Sequence, residues 1–83
     1  MISVLFFAKV REDLACRKLS VDLAEASTVS ELKKQLVADN GGRWQQVLMA
    51  DNIICALNQV VVDDSAAIVN GDEVAFYPPV TGG

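Results

Sequence analysis

Hydrophobic positions follow two rhythms along this chain. Ile2-Ser3-Val4-Leu5-Phe6-Phe7-Ala8 is a β-branched and aromatic run, which predicts a strand buried largely on both faces and therefore central in its sheet. Residues 9–18 are polar and charged. Leu19-Ser20-Val21-Asp22-Leu23 then alternates apolar with polar at period two, so the two strands read as a hairpin with a long, loose turn. At Thr28 the rhythm changes. Thr28-Val29-Ser30-Glu31 has the spacing of a capping box, and Val29, Leu32, Leu36 and Val37 then recur at helical spacing while Glu31, Lys34 and Gln35 point away. Asn40-Gly41-Gly42 supplies a stop, which predicts a helix from Val29 to Asp39. Residues 43–49 predict a short second helical turn with Trp44, Val47 and Leu48 inward. Ile53-Ile54-Cys55-Ala56-Leu57 and Val60-Val61-Val62 flank Asn58-Gln59, the length of a tight hairpin link. Residues 63–72 are turn-rich, and Glu73-Val74-Ala75-Phe76-Tyr77 is the last strand before Pro78-Pro79.

This order of two strands, a helix and three strands predicts a single α+β domain over residues 1–83, in which one main helix covers one face of a mixed sheet. It is the order of a β-grasp, ubiquitin-like fold. Strand alternation then has a consequence. If Ile2, Val4 and Phe6 face the helix, Leu5 and Phe7 face the other side, and Val74 and Phe76 inward put Ala75 and Tyr77 outward. No segment remains to cover that second face, so Leu5, Phe7 and Tyr77 are expected to form an exposed apolar patch. A phase shifted by one residue would bury them instead.

Composition narrows the chemistry. The 83 residues are 52% hydrophobic and only 22% charged, and mean hydropathy is +0.31, an excess of apolar surface that a partner face would absorb. Net charge is −4, the wrong sign for a phosphate backbone, so nucleic acid is not an expected ligand. No basic, apolar export leader and no run approaching 18 apolar residues is present, so no membrane span is expected and the cytosol is the expected compartment. Cys16 and Cys55 fit neither a CxxC nor a zinc spacing; both are expected to be reduced, Cys55 as a buried small hydrophobe and Cys16 as a loop thiol. Without histidine the chain lacks the commonest general base. Asp63-Asp64 and Asp72-Glu73 fit turn caps better than metal ligands, and no metal site is expected. Gly41-Gly42 and Gly71 fit helix-stop and turn roles, and no phosphate-binding glycine loop is present, so any ATP is bound by another protein.

What remains is the end of the chain. Pro78 and Pro79 terminate strand pairing and bias Pro78-Pro79-Val80-Thr81-Gly82-Gly83 toward a flexible but extended tail, 78–83, slim at its tip. Six residues reach roughly 20 Å, enough to enter another protein's pocket. The terminal carboxylate of Gly83 is a poor electrophile until joined to AMP; the activated glycyl group then accepts sulfur, to become a thiocarboxylate, or an amine, to become an isopeptide.

Residues Asp72 to Gly83 closely resemble the C-terminus of the molybdopterin synthase small subunits, the MoaD family. Val4-Leu5-Phe6-Phe7-Ala8-Lys9-Val10-Arg11-Glu12 resembles that family's opening strand and turn, and Ala56-Leu57-Asn58-Gln59 its central hairpin. Residues 16–49 match only in pattern. The resemblance implies a sulfur carrier whose Gly83 is adenylated by an E1-like, ATP-using enzyme and converted to a thiocarboxylate. That sulfur would pass to cyclic pyranopterin monophosphate within a large synthase subunit, which holds the catalytic groups, in a heterotetramer. Gly82 would give clearance, Pro78, Pro79, Val80 and Thr81 would guide the tail, and Leu5, Phe7, Ala75 and Tyr77 would form the interface. This chain itself would hold no cofactor. A sulfur carrier for thiamin thiazole or another acceptor, a protein modifier and a plain interaction domain are the alternatives; the double proline argues against the thiazole type.

Overall fold

Ten elements follow in chain order in the computed structural model, which describes residues 1–22 and 27–78. They are β1 (Ile2–Phe6), α1 (Ala8–Leu14), β2 (Lys18–Val21), β3 (Ser27–Thr28), α2 (Val29–Asn40), α3 (Gly42–Leu48), β4 (Ile54–Leu57), β5 (Val60–Val62), β6 (Ala67–Ile68) and β7 (Glu73–Tyr77). Five strands form the main sheet in the order β2-β1-β7-β4-β5. β1 and β7 are parallel neighbours and the other pairs are antiparallel, so the sheet is mixed. The doubly apolar β1 is interior, as its composition demands.

The predicted strand phase is the observed one. Ile2, Val4, Phe6, Val74 and Phe76 are essentially inaccessible and face the helices. Phe6 stacks on Phe76 with centroids 5.9 Å apart and meets the edge of Trp44 at 5.3 Å, which ties the central strand pair to α3. The capping box at α2 is complete: the Glu31 backbone N–H donates to Thr28 Oγ1 at 3.2 Å, and the Thr28 N–H donates to Glu31 Oε1 at 3.2 Å. Val29, Leu32 and Leu36 line the buried face of the helix, which stops at Gly41, where φ is +96° and the N–H donates to the Val37 carbonyl at 2.8 Å. The short second helix expected at residues 43–49 is α3, with Trp44 and Leu48 buried.

Two features differ from what the sequence predicts. Residues 9–18 are not one loose turn but contain α1, which buries Val10 and Leu14, one helical turn apart, and turns Lys9, Arg11 and Glu12 to water. Lys9 pairs with Asp13 across the same turn at 3.4 Å. The turn-rich stretch 63–72 contains β6, which pairs with β3 and buries Ile68 completely. Two-residue strands show no alternation to read. Lys33 is buried within α2, its ammonium donating to Asp64 Oδ1 at 2.8 Å; the partner that makes burial tolerable comes from the loop after β5. The second strand ends at Val21, and Leu23 lies outside the described residues.

The β4–β5 link is the tight turn expected of Asn58-Gln59. Both residues have left-handed φ, 49° and 73°, the twist that two-residue hairpins need. Asn58 offsets its strain with side-chain bonds: Nδ2 donates to Asp72 Oδ1 at 3.0 Å, and Oδ1 accepts from the Glu73 N–H at 2.9 Å. The hairpin is thereby fastened to the start of β7. The Asp72 carboxyl is held below its ordinary value, first by the Val69 N–H and then by Asn58. Replacing Asn58 by Ala removes both bonds and leaves an alanine at positive φ, so Asn58→Ala is expected to lower unfolding free energy by roughly 1–3 kcal/mol in a urea titration. An unchanged midpoint would show that the turn does not depend on this side chain.

Candidate functional site

The face of the sheet opposite the helices is built by the same alternation that builds the core. Register sets Leu5, Ala75, Ala56 and Val61 side by side across β1, β7, β4 and β5. The next row holds Tyr77 and Ile54, with Phe7 at the end of β1. Phe7 and Tyr77 lie ring on ring, centroids 4.8 Å apart and planes within 6° of parallel. The helices α1, α2 and α3 all pack into the core on the other side of the sheet, so nothing among the described residues stands over this row. Phe7 is 37% exposed and Val61 71%; Leu5, Ile54 and Tyr77 are half-buried.

The patch expected of Leu5, Phe7 and Tyr77 is therefore present and wider than expected. Ile54 and Val61 extend it across β4 and β5, while Ala56, on the same face, is 4% exposed and adds no contact surface. Their outward phase was readable from the inward Cys55 and Leu57, but only once the strand's partner was known. Ala75 needs a correction. It points to this face yet is only 4% exposed, a short side chain with the larger Leu5 opposite it in the register. It forms the floor of the patch and not its contact surface.

Immediately beyond Tyr77, Pro78 is half-buried and lines a cleft of about 440 Å3 between α1 and α3. The remaining predicted tail residues, Pro79, Val80, Thr81, Gly82 and Gly83, lie outside the described residues. The apolar face thus borders the point where the tail leaves the sheet. Phe7 joins the two, since its N–H donates to the Phe76 carbonyl at 3.1 Å and its backbone caps α1.

Side-chain chemistry around the site is sparse. Among the described residues no group of three or more His, Cys, Asp or Glu could hold a metal ion, and no helix is long and apolar enough to cross a membrane. Cys55 is buried, and burial pushes its thiol up to about 11, with Asp64 adding to the rise and Lys33 opposing it. At neutral pH it is a protonated thiol that packs as a small hydrophobe. Cys16 is half-buried after α1, its Sγ 3.8 Å from the Lys18 carbonyl. Asp63, which binds the Ser65 hydroxyl and N–H, and Asp72 act as turn caps, and both carboxyls are lowered by those bonds. The acidic pairs are structural.

The model of the ThiS family matches residues 4–83. The chain belongs to the ThiS family. Among curated relatives, the molybdopterin synthase sulfur carrier subunit of Escherichia coli is 42% identical over 83 residues, and that of Haemophilus influenzae 36%, each alignment covering the whole of both chains. Of solved structures, SAMP1 from Haloferax volcanii matches with a TM-score of 0.79 at 26% identity, covering 99% of this chain and 98% of that one. Subunits 1 and 2 of the molybdopterin-converting factor from Helicobacter pylori have been solved as a complex; one chain there matches at TM-score 0.67 and 22% identity, covering 99% and 97%. This ThiS-family chain thus has the ubiquitin-like β-grasp fold, and its relatives include full-length sulfur carriers.

The two thiols give the site's surroundings a direct check. With the folded chain at pH 8, a soluble alkylating reagent is expected to modify Cys16 well ahead of Cys55, whose modification should rise only as pH approaches 11 or the protein unfolds. Equal labelling of both in the native state at pH 8 would contradict the burial of Cys55.

Proposed function

We propose that this chain is the sulfur-carrier subunit of a molybdopterin synthase. The observation that carries the reading is the full-length match to subunits of that name, residue 1 through Gly83, in a chain that leaves an apolar sheet face bare beside the root of its tail. Neither of these features by itself specifies sulfur transfer; together they describe a domain that docks flat and offers its terminus to a partner.

The chemistry follows from the carboxylate. An E1-like enzyme joins Gly83 to AMP at the expense of ATP, releasing pyrophosphate. A sulfur nucleophile displaces AMP and leaves a thiocarboxylate. In the large synthase subunit, which supplies the catalytic groups, the sulfur displaces an oxygen substituent from a carbon of cyclic pyranopterin monophosphate, the C–O electron pair leaving with that oxygen; water then cleaves the acyl–sulfur bond and returns the carboxylate. Two such deliveries build the dithiolene, which fits a heterotetramer with two carriers. In this account Gly83 bears the sulfur and Gly82 keeps the tip narrow. Pro78 to Thr81 stiffen the approach, and Leu5, Phe7, Ile54, Val61 and Tyr77 bind the large subunit. All of this takes place in the cytoplasm, and the nucleotide and catalysis belong to the partners.

The likeness to SAMP1, whose name in a second solved structure is small archaeal modifier protein 1, supports a second reading, isopeptide formation through Gly83. Intact-mass measurement after incubation with the activating enzyme, ATP and a sulfur donor separates the two. Sulfur transfer predicts a gain equal to the exchange of one oxygen for sulfur, absent when Gly83 is deleted, and the thiocarboxylate form then yields molybdopterin with the large subunit. Lysine-linked adducts would favour the modifier. An unchanged mass with an enzyme shown to be active overturns the carrier reading.

A further inference from the structure

The cleft at the root of the tail has a composition that the docking face does not explain. Its walls include Val10 of α1, Val47 of α3 and Ile53, and Pro78 closes one side. Two cations stand in this lining, Lys9 and Arg43. Lys9 is partly neutralised by Asp13, which also lines the cleft. Arg43 is not: its guanidinium donates only to the backbone carbonyl of Asp13, at 3.5 Å, and among the described residues no carboxylate lies within ion-pair distance of it. At about 440 Å3 the cleft is within the range, roughly 300–1,000 Å3, of sites that seat a small ligand.

Chain connectivity supplies a ligand of the matching kind. Five residues follow Pro78, which at about 3.3 Å each span roughly 17 Å, far enough to cross a cleft whose wall is Pro78 itself. They are Pro79-Val80-Thr81-Gly82-Gly83, two apolar residues followed by a slim, anionic end. Apolar walls and a guanidinium lacking a carboxylate partner complement that order. Because the segment is tethered, it competes at high effective concentration against free anions and against the tails of other copies.

We propose that the cleft between α1 and α3 is a resting site for the chain's own residues 79–83, with the Gly83 carboxylate held by Arg43 and Lys9 whenever no partner holds the tail. The site is independent of the sulfur-transfer reading, since a carboxylate and a thiocarboxylate carry the same charge. Its effect is to shield the terminus between encounters, and a partner that takes the tail must draw it out of the cleft.

Nuclear magnetic resonance of the dilute, isotope-labelled full chain tests this directly. Three proteins are compared: the native chain, the chain lacking residues 79–83, and Arg43→Gln. Signals of helix α2, remote from the cleft, report that each remains folded. The native chain is expected to show Gly82 ordered, with a backbone order parameter above about 0.6. Deletion should shift the Arg43 side-chain signal and the Val47 and Ile53 amides. Arg43→Gln, or salt near 1 M, should reduce the docked share about two- to fivefold, the range of an exposed ion pair. Freely mobile glycines in the native chain with cleft signals indifferent to deletion overturn the proposal. So do cleft signals that depend on protein concentration, which would assign the cleft to a second copy's tail, and signals that move only when a partner protein is added.

Discussion

A sheet whose central strands are apolar on both sides needs cover on both sides, and this chain supplies helices for only one. β1 and β7 are parallel neighbours in the middle of the sheet, and every other residue of each must point away from α2 and α3. Ile2, Val4, Phe6, Val74 and Phe76 satisfy the covered face and carry the core. Leu5, Phe7 and Tyr77, displaced by one residue, have nowhere to go but the bare face. The bare apolar face is therefore a geometric by-product of the same strands that hold the fold together, and its place beside Pro78 is fixed, because Tyr77 and Pro78 are consecutive.

The surrounding structure makes that arrangement rigid. Phe6, Phe76 and Trp44 lock the strand pair to α3, the capping box sets where α2 begins, and Asn58 pins the β4–β5 hairpin to the first residues of β7. Lys33 and Asp64 tie α2 to the loop after β5. Each contact lies on the helix side or at the sheet's ends, and none makes use of the bare face. The proposed docking face and the core thus lie on opposite sides of the same five strands, so that a change at Phe7 or Val61 is separable from folding in a way that a change at Phe6 is not.

Much of this was legible in the residues. Period two in β1 and β7 located both faces, and Thr28 with Glu31 marked the start of α2, because these signals are local and strong. α1 was not legible: Lys9, Arg11, Glu12 and Asp13 dominate its composition, and only the spacing of Val10 and Leu14 betrays a buried stripe. β3 and β6 were too short to show a period. The burial of Lys33 has no local signal, since the Asp64 that permits it is distant in sequence. Ala75 was placed on the right face but not at the right depth, which depends on the larger side chains around it. The extension of the patch to Ile54 and Val61 required the strand pairing, which no single strand encodes. The tail chemistry was read from the terminal residues themselves, with Pro79 to Gly83 beyond what the structure describes.

The proposed docking of the large synthase subunit on the bare face is probed best at Phe7, whose ring is exposed, stacked on Tyr77 and absent from the core. Titrating the large subunit with native chain and with Phe7→Glu by calorimetry measures this. An affinity loss of at least about thirtyfold is expected, from a charge forced into a desolvated apolar contact, with an unchanged unfolding midpoint for the free chain. Undiminished binding by a folded Phe7→Glu chain would contradict it.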